Sequence, residues 1–122
     1  MNLRTGVDLI EIHRINQAIE RLGDAFLRRV YTPAEIAAFA TNPQSLAARW
    51  AAKEAVAKAL GTGLGPIAFT DVEVLRAANG EPVLTLHGRA ASLAAELGIS
   101  GWSISLSHTH EHAIAMVVGL VS

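Results

Sequence analysis

The spacing of hydrophobic residues changes several times along the first thirty residues, and each change predicts an element. Residues 3–10 are largely apolar, which predicts a buried strand, although Asp8 lies in its middle. From residue 11 the apolar positions recur at helical spacing until Gly23 ends the run. These positions are Ile12, Ile15, Ile19 and Leu22. A second short helix is predicted for residues 25–30.

Two helix starts are marked by capping residues. Thr32 precedes Pro33 and is followed three residues later by Glu35, the pattern of a capping box with proline in the first turn. Asn42 and the proline after it mark another start. A long, alanine-rich helix over residues 45–60 follows and stops at Gly61.

The second half of the chain alternates between strand and helix patterns. Residues 72–76 and 82–86 flank Asn79-Gly80, which predicts a hairpin with a loop longer than two residues. A short helix over residues 90–97 is closed by Gly98, and two further strands are predicted at 101–108 and 113–121. This order predicts an α+β fold: one small domain, residues 1–122, with a mainly antiparallel sheet and a long central helix.

Composition narrows the possible functions. With 122 residues, 51% of them apolar, the chain can form one core but has little material for a deep cleft, which favours a site shared between subunits. A net charge of −1 argues against general nucleic-acid binding, and the absence of cysteine excludes thiolate chemistry. The start of the chain lacks the apolar stretch of a signal peptide, and the longest apolar run, 113–121, is too short to span a bilayer. We therefore expect a cytoplasmic protein without a membrane partner.

Three charged residues are the first candidates for chemistry. Glu54 and Lys58 lie one turn apart in the long helix, either as a surface ion pair or as a cation-binding carboxylate beside an ammonium that meets phosphate. Asp8 in its apolar strand must be paired, hydrogen-bonded or metal-bound. Alternatively, Asp8 caps the next helix with Glu11 as its partner. The residues alone leave these alternatives open.

The other polar clusters carry weaker signals. The turn over residues 61–65 is glycine-rich but follows a helix, so a helix stop is its ordinary meaning and a phosphate cradle the alternative. His108, His110 and His112 occupy every second position. They are either zinc ligands of a zinc-dependent hydrolase or a histidine cluster on the surface. The basic residues on the first helices are either the solvent-exposed side of amphipathic helices or a binding surface for an acidic partner. These residues are Arg14, Arg21, Arg28 and Arg29.

Taken together, four segments resemble the holo-[acyl-carrier-protein] synthases of the 4′-phosphopantetheinyl transferase family. Residues 6–15 (GVDLIEIHRI) resemble their opening motif, and residues 31–35 (YTPAE) the next. Residues 49–63 (RWAAKEAVAKALGTG) match the central motif nearly throughout, with Trp50 where Phe is common. Residues 105–108 (SLSH), followed by 113–115 (AIA), resemble the closing motif. His110, His112 and Glu81 depart from the pattern.

The resemblance implies transfer of 4′-phosphopantetheine from coenzyme A to a serine of apo acyl carrier protein, with release of adenosine 3′,5′-bisphosphate. It implies a role in lipid metabolism, in which the holo carrier serves fatty-acid or polyketide synthesis. It also implies an α+β fold that forms a homotrimer with active sites between subunits. A trimeric binding module, in which Asp8 and Glu54 serve only capping and packing, is the non-enzymatic alternative.

The resemblance also assigns roles to residues. Asp8 and Glu54 are expected to hold Mg²⁺ and Lys58 to meet charge on the leaving phosphate. Glu54, or a metal-bound water that it orients, is expected to take the serine proton. Arg14 and Arg21 are expected to dock the acidic carrier protein. A further group is expected to bind coenzyme A, with Arg49, His108 and Thr109 at the nucleotide and its 3′-phosphate and residues 79–82 nearby. This group consists of Arg49, Lys58, Gly61, Gly63, His108 and Thr109.

Overall fold

A computed structural model describes residues 2–122, which form five helices, five strands and one 3₁₀ turn; residue 1 of the predicted domain lies outside this range. The strands are β1 (Asn2–Glu11), β2 (Val72–Arg76), β3 (Pro82–Leu86), β4 (Ile99–His108) and β5 (His112–Val121). The helices are α1 (Ile12–Leu22), α2 (Asp24–Val30), α3 (Pro33–Phe39), α4 (Pro43–Leu60) and α5 (Gly88–Glu96), with a 3₁₀ turn at Phe69–Asp71. The predicted α+β fold and order of elements are confirmed. In residues 2–122 no helix has the length and apolar character needed to cross a membrane.

The strands form two antiparallel sheets. The larger has the order β1-β5-β4, so the last strand lies between the first and the fourth. In its register Asp8 lies opposite Ala115, and His108 lies opposite Ala113. The predicted hairpin of β2 and β3 forms the second sheet, and its five-residue connection, 77–81, confirms that the loop is longer than two residues.

The central helix α4 packs against the inner face of the larger sheet and is buried along most of its length. Its alanines allow the strands to approach closely. The closest approach is at Gly6, where a β-carbon would lie 1.8 Å from the carbonyl oxygen of Ala55. Only glycine fits there, so β1 and α4 touch backbone to backbone at this point.

A buried ion pair ties α3 to α4 and β2. Lys53 Nζ donates to Glu35 Oε1 at 2.7 Å, to the carbonyl of Phe69 at 3.1 Å and to that of Val72. Glu35 also accepts from the backbone nitrogens of Thr32, at 2.9 Å, and Val74, at 2.9 Å. Both charged side chains are fully buried, so each depends on the other and on these backbone groups.

The prediction of a buried first strand is wrong for one of its faces. Gly6 and Ile10 point to the core, whereas Leu3, Val7 and Leu9 are 62%, 52% and 61% exposed. On β5, Ile114 (38%) and Met116 (48%) lie on the same side. We call these five residues the outer sheet face. A run of apolar residues shows that both faces of a strand are hydrophobic. It does not show whether another part of the protein covers each face.

Candidate active site

Asp8 lies on the inner face of β1, directed towards α4. Helix α1 begins only at Ile12, and its cap residue, Glu11, makes no side-chain capping bond within the described residues. Asp8 is part of the strand, three residues earlier. The alternative that Asp8 caps the helix is therefore wrong, and its carboxylate is free for another role.

The close approach at Gly6 brings Asp8, two residues further along the same strand face, against the last turns of α4. There Lys58 Nζ lies 3.2 Å from Asp8 Oδ1 and 2.8 Å from the carbonyl oxygen of Val7. The carboxylate that pairs with Lys58 is thus Asp8, fifty residues away, and not Glu54 on the preceding turn. The structure therefore does not form the simple surface ion pair between Glu54 and Lys58 within α4.

Glu54 completes this group. Burial raises the pKa of its carboxyl above 4.5, the negative charge of Asp8 raises it further, and Lys58 partly opposes both effects. Two carboxylates that repel each other beside a single ammonium favour the arrival of a cation. Carboxylate oxygens are ligands that Mg²⁺ prefers, so the residues fit the ion that the sequence predicts.

A cleft of about 410 Å³ adjoins the two carboxylates, between β1, α1 and α4. Arg14 lies at this cleft, while Arg21 is exposed in the last turn of α1. The rings of Phe26 and Trp50 line it in a stacked pair, with centroids 6.1 Å apart. The cleft therefore offers two carboxylates, one arginine and a flat apolar wall.

A second, smaller pocket of about 180 Å³ contains Arg49 and His108. Arg49 is only 3% exposed; its Nε donates to the carbonyl of Val74 at 3.1 Å, and its guanidinium lies 3.9 Å over the ring of Phe39. Burial, and then the charge of Arg76, lower the pKa of Arg49 to about 10. Arg49 remains cationic at neutral pH, so this pocket suits an anion.

These two pockets lie on different sides of α4 and share no lining residue in the described part of the chain. Arg49 and Glu54 are five residues apart, which places them about 140° apart around a helix. One chain therefore does not bring Arg49 and His108 into one cleft with the predicted metal ligands, although Lys58 lies beside Asp8.

Three other predicted contact residues lie in turns. Gly61 has a φ of 82° and ends α4 in the left-handed conformation, so the helix-stop interpretation of the glycine turn is confirmed. Gly63, with a φ of 66°, continues the turn beyond the Lys58 end of the helix. Thr109 Oγ1 accepts from the backbone nitrogens of Glu111 and His112, at 3.3 and 3.1 Å, and holds the β4–β5 turn that follows His108.

The three alternating histidines do not form one site. His108 lines the Arg49 pocket, whereas His110 and His112 line a different recess with His13. Among residues 2–122 no group of three or more histidine, aspartate or glutamate side chains is arranged to hold a metal ion. The zinc alternative is therefore contradicted.

Sequence reasoning missed Arg76 and the partners of Lys53. Arg76 lines the pocket of Arg49 and His108 although it lies 27 residues after Arg49 in the chain. In the sequence, the only indication of this position was that Arg76 ends a predicted strand whose hairpin partner begins at Pro82. The position of Lys53 within an alanine-rich helix is a signal that could have found it, but nothing local identifies Glu35 as its partner.

Comparison with known proteins identifies the class of protein to which this fold belongs. A family profile described as the 4′-phosphopantetheinyl transferase superfamily matches residues 4–117. Holo-[acyl-carrier-protein] synthase of Herpetosiphon aurantiacus is 56% identical over 97% of this chain and 98% of its own. The chain belongs to the 4′-phosphopantetheinyl transferase superfamily, and its curated relatives are holo-[acyl-carrier-protein] synthases.

Solved structures agree with this assignment. Helicobacter pylori holo-[acyl-carrier-protein] synthase in complex with coenzyme A superposes with a TM-score of 0.86 at 32% identity, covering 95% of this chain and 99% of its own. The Bacillus anthracis enzyme, in complex with coenzyme A (3′,5′-ADP), gives a TM-score of 0.79 at 32% identity, covering 98% and 96%. The expected family and fold are confirmed.

Proposed function

We propose that the protein transfers 4′-phosphopantetheine from coenzyme A to a serine of apo acyl carrier protein and releases adenosine 3′,5′-bisphosphate. Membership of the superfamily and the names of the relatives support this activity. The observation that carries it is the meeting of Asp8 and Lys58, with Glu54 beside them, where β1 touches α4. Asp8 comes from the opening motif, whereas Glu54 and Lys58 come from the central motif, and the fold brings the two motifs together.

Asp8 and Glu54 would hold Mg²⁺ together with the diphosphate of coenzyme A. The fit rests on the hard oxygen donors of the two carboxylates and on burial and the negative charge of Asp8, which raise the pKa of Glu54. When bound, the ion supplies positive charge that neutralises the diphosphate and makes the attacked phosphorus more electrophilic.

The remaining chemistry belongs to side chains of this chain. In the transfer, the serine oxygen forms a bond to the β-phosphorus as its proton leaves, and the bond from that phosphorus to the bisphosphate oxygen breaks. Glu54, whose raised pKa makes it a better proton acceptor than an ordinary carboxylate, would take the serine proton, directly or through a water. Lys58, half-exposed beside Asp8, would stabilise the negative charge on the leaving phosphate.

Arg49 and His108 would bind the nucleotide, with Gly61, Gly63 and Thr109 contributing to the surrounding turns. Since their pocket lies across α4 from Asp8 and Glu54, the nucleotide pocket of one copy would serve the carboxylates of its neighbour. This arrangement requires an oligomer, and we propose the homotrimer expected from the sequence.

The outer sheet face supports this assembly. Three of its residues, Leu3, Val7 and Leu9, are each more than half exposed along one strand. A contiguous apolar surface of this kind marks an interaction site. Contact between the outer sheet faces of three copies would bury it, and would also place β1 of each copy beside the others.

Arg14 and Arg21 would dock the carrier protein. Both lie on α1, seven residues apart and hence on one side of the helix, and Arg14 borders the cleft that holds the two carboxylates. An acidic helix of the carrier placed along α1 would bring its serine towards Glu54. The cytoplasmic location expected from the sequence stays a prediction.

Incubation with coenzyme A, Mg²⁺ and an apo acyl carrier protein tests the proposal. The carrier is expected to gain the mass of one phosphopantetheine, and a chelator is expected to stop the reaction. A binding module would form a complex without any gain of mass. Failure to modify fatty-acid and polyketide carriers alike would reject the transferase.

A further inference from the structure

The loop between β2 and β3 contains an asparagine that is followed directly by glycine. Asn79 and Gly80 are both exposed in this connection, which covers residues 77–81. The pair turns the chain, but it also places a side-chain amide beside a backbone nitrogen that carries no bulky neighbour. An amide in this position is chemically reactive.

The reaction open to such a pair is loss of the side-chain amide. The backbone nitrogen of the glycine bonds to the side-chain carbonyl carbon of the asparagine and gives up its proton, and the side-chain nitrogen leaves as ammonia. Water then adds to one carbonyl of the resulting succinimide, and the ring opens to aspartate or isoaspartate. Glycine favours the first step because it has no β-carbon to obstruct the attacking nitrogen.

The other three asparagines of the chain lack this arrangement. Asn2 and Asn16 precede residues with large side chains, and Asn16 lies within α1, where the backbone is fixed. Asn42 precedes a proline, which has no backbone N–H and cannot form the succinimide. Deamidation is therefore expected at Asn79 before any other position.

The folded loop leaves the attacking nitrogen unobstructed and holds the carbonyl that it attacks. A β-carbon at Gly80 would meet nothing within 4 Å, and the φ of 90° at this residue is one that glycine adopts freely. The backbone nitrogen of Glu81 donates to Asn79 Oδ1 at 3.1 Å. This bond would stabilise the negative charge that develops on the oxygen as the ring closes, as the donors of an oxyanion hole do.

One contact opposes the reaction. The backbone nitrogen of Gly80 donates to the carbonyl of Ala77 at 2.9 Å, so this bond must open before the nitrogen can attack. Because the loop is exposed, the opening is a local event that does not require the domain to unfold. Gly80 and Pro82 also line the pocket of Arg49, so a ligand bound there would hold the loop closed and slow the reaction.

We propose that Asn79 is a site of spontaneous deamidation and that its conversion weakens anion binding in the adjoining pocket. The effect on nucleotide binding rests on the proposed function, whereas the conversion itself does not. Both products carry a carboxylate directly before Gly80, at a pocket whose described lining includes two arginines and no acidic residue. The added negative charge repels phosphate groups, and isoaspartate also lengthens the main chain of the loop.

The conversion is tested by incubating the purified wild-type protein at mildly alkaline pH, followed by tryptic digestion and mass spectrometry. Trypsin cleaves after arginine and releases residues 77–89, a peptide that contains Asn79 and no other asparagine. This peptide should convert to its aspartate and isoaspartate forms, whereas the peptides with Asn16 and Asn42 stay unchanged. Saturating adenosine 3′,5′-bisphosphate should slow the conversion. Asn79→Ser, which cannot form the succinimide, is the matched control.

The consequence is tested by calorimetry with adenosine 3′,5′-bisphosphate before and after incubation. Wild type should lose affinity about three- to tenfold, and fresh Asn79→Asp should be weaker than fresh wild type by a similar factor. The affinity of Asn79→Ser should not change during incubation.

Two results would overturn the inference. One is a 77–89 peptide that converts no faster than the peptide with Asn16, and the other is complete conversion of Asn79 with unchanged affinity. A fresh wild type that neither binds the nucleotide nor modifies a carrier overturns the proposed function instead. The peptide measurement then still decides whether Asn79 is the deamidation site, because it needs no ligand.

Discussion

The substitution Gly6→Ala tests whether close contact between β1 and α4 builds the site. The new β-carbon would lie 1.8 Å from the Ala55 carbonyl oxygen and 2.7 Å from its carbonyl carbon. A separation of at least 3.0 Å is needed, so strand and helix must move apart by 1.2 Å or more. Both contacts are backbone, and no side-chain rotation relieves them.

Overpacking of this kind costs about 1–3 kcal/mol, which corresponds to a fall in Tm of roughly 4–12 °C for a domain of this size. The displacement also moves Asp8, two residues along β1, away from Lys58, whose Nζ is now 3.2 Å from it. Misplacement of catalytic groups by about 1 Å can lower turnover roughly a hundredfold. We therefore expect loss of turnover beyond the loss of folded protein.

The measurements are the Tm by calorimetry and the rate of carrier modification by mass spectrometry, at a temperature where the variant stays folded. Gly101→Ala is the matched control, because a β-carbon at Gly101 would meet nothing within 4 Å. It should retain wild-type stability and rate. A Gly6→Ala protein with wild-type turnover would refute the idea that this contact positions Asp8.

Three further substitutions probe single charges. Lys53→Met leaves the Glu35 carboxylate buried without its counter-charge and should lower stability by about 3–5 kcal/mol in urea unfolding, whereas adding Glu35→Gln should recover part of the loss. Because the folded pKa of Glu54 lies above 4.5, the stability that its proton contributes is complete below pH 4.5 and is lost as pH rises through the raised pKa. Glu54→Gln should therefore unfold at higher temperature than wild type at pH 7.5 in EDTA, and the difference should shrink towards pH 4.5; an equal Tm at all pH values would contradict this. Lys58→Ala should lower kcat with little change in the KM for the carrier or in Tm, since an exposed ion pair stabilises by at most about 1 kcal/mol; a change confined to the carrier KM would place Lys58 in docking.

Local signals in the sequence predicted the elements well. Thr32 and Glu35 exchange both bonds of a capping box, at 2.9 and 3.2 Å, as their spacing indicates. Asn42 caps α4 with a 3.1 Å bond, and Gly61 ends that helix. These features depend on residues within a few positions of each other, and the sequence contains that information directly.

The site itself depends on contacts between distant residues, which periodicity does not encode. Lys58 meets Asp8 across fifty residues, and Arg76 meets Arg49 because the β2–β3 hairpin packs beside α4. Resemblance to a family supplied Asp8, Glu54 and Lys58 as a group. It did not supply Arg76, whose position beside Arg49 at the same Phe39 ring is visible only in the folded structure.

The most direct test of the account is the Mg²⁺-dependent modification of an apo carrier by wild type and by Asp8→Asn, followed by mass spectrometry. Asparagine keeps the size of the side chain and a hydrogen-bonding oxygen near Lys58, so the fold should persist with a wild-type circular dichroism spectrum. We predict that wild type adds one phosphopantetheine and that Asp8→Asn adds almost none at low Mg²⁺, with partial recovery as Mg²⁺ is raised. Wild-type turnover by Asp8→Asn at every Mg²⁺ concentration would contradict the central claim that Asp8 and Glu54 together form the metal site.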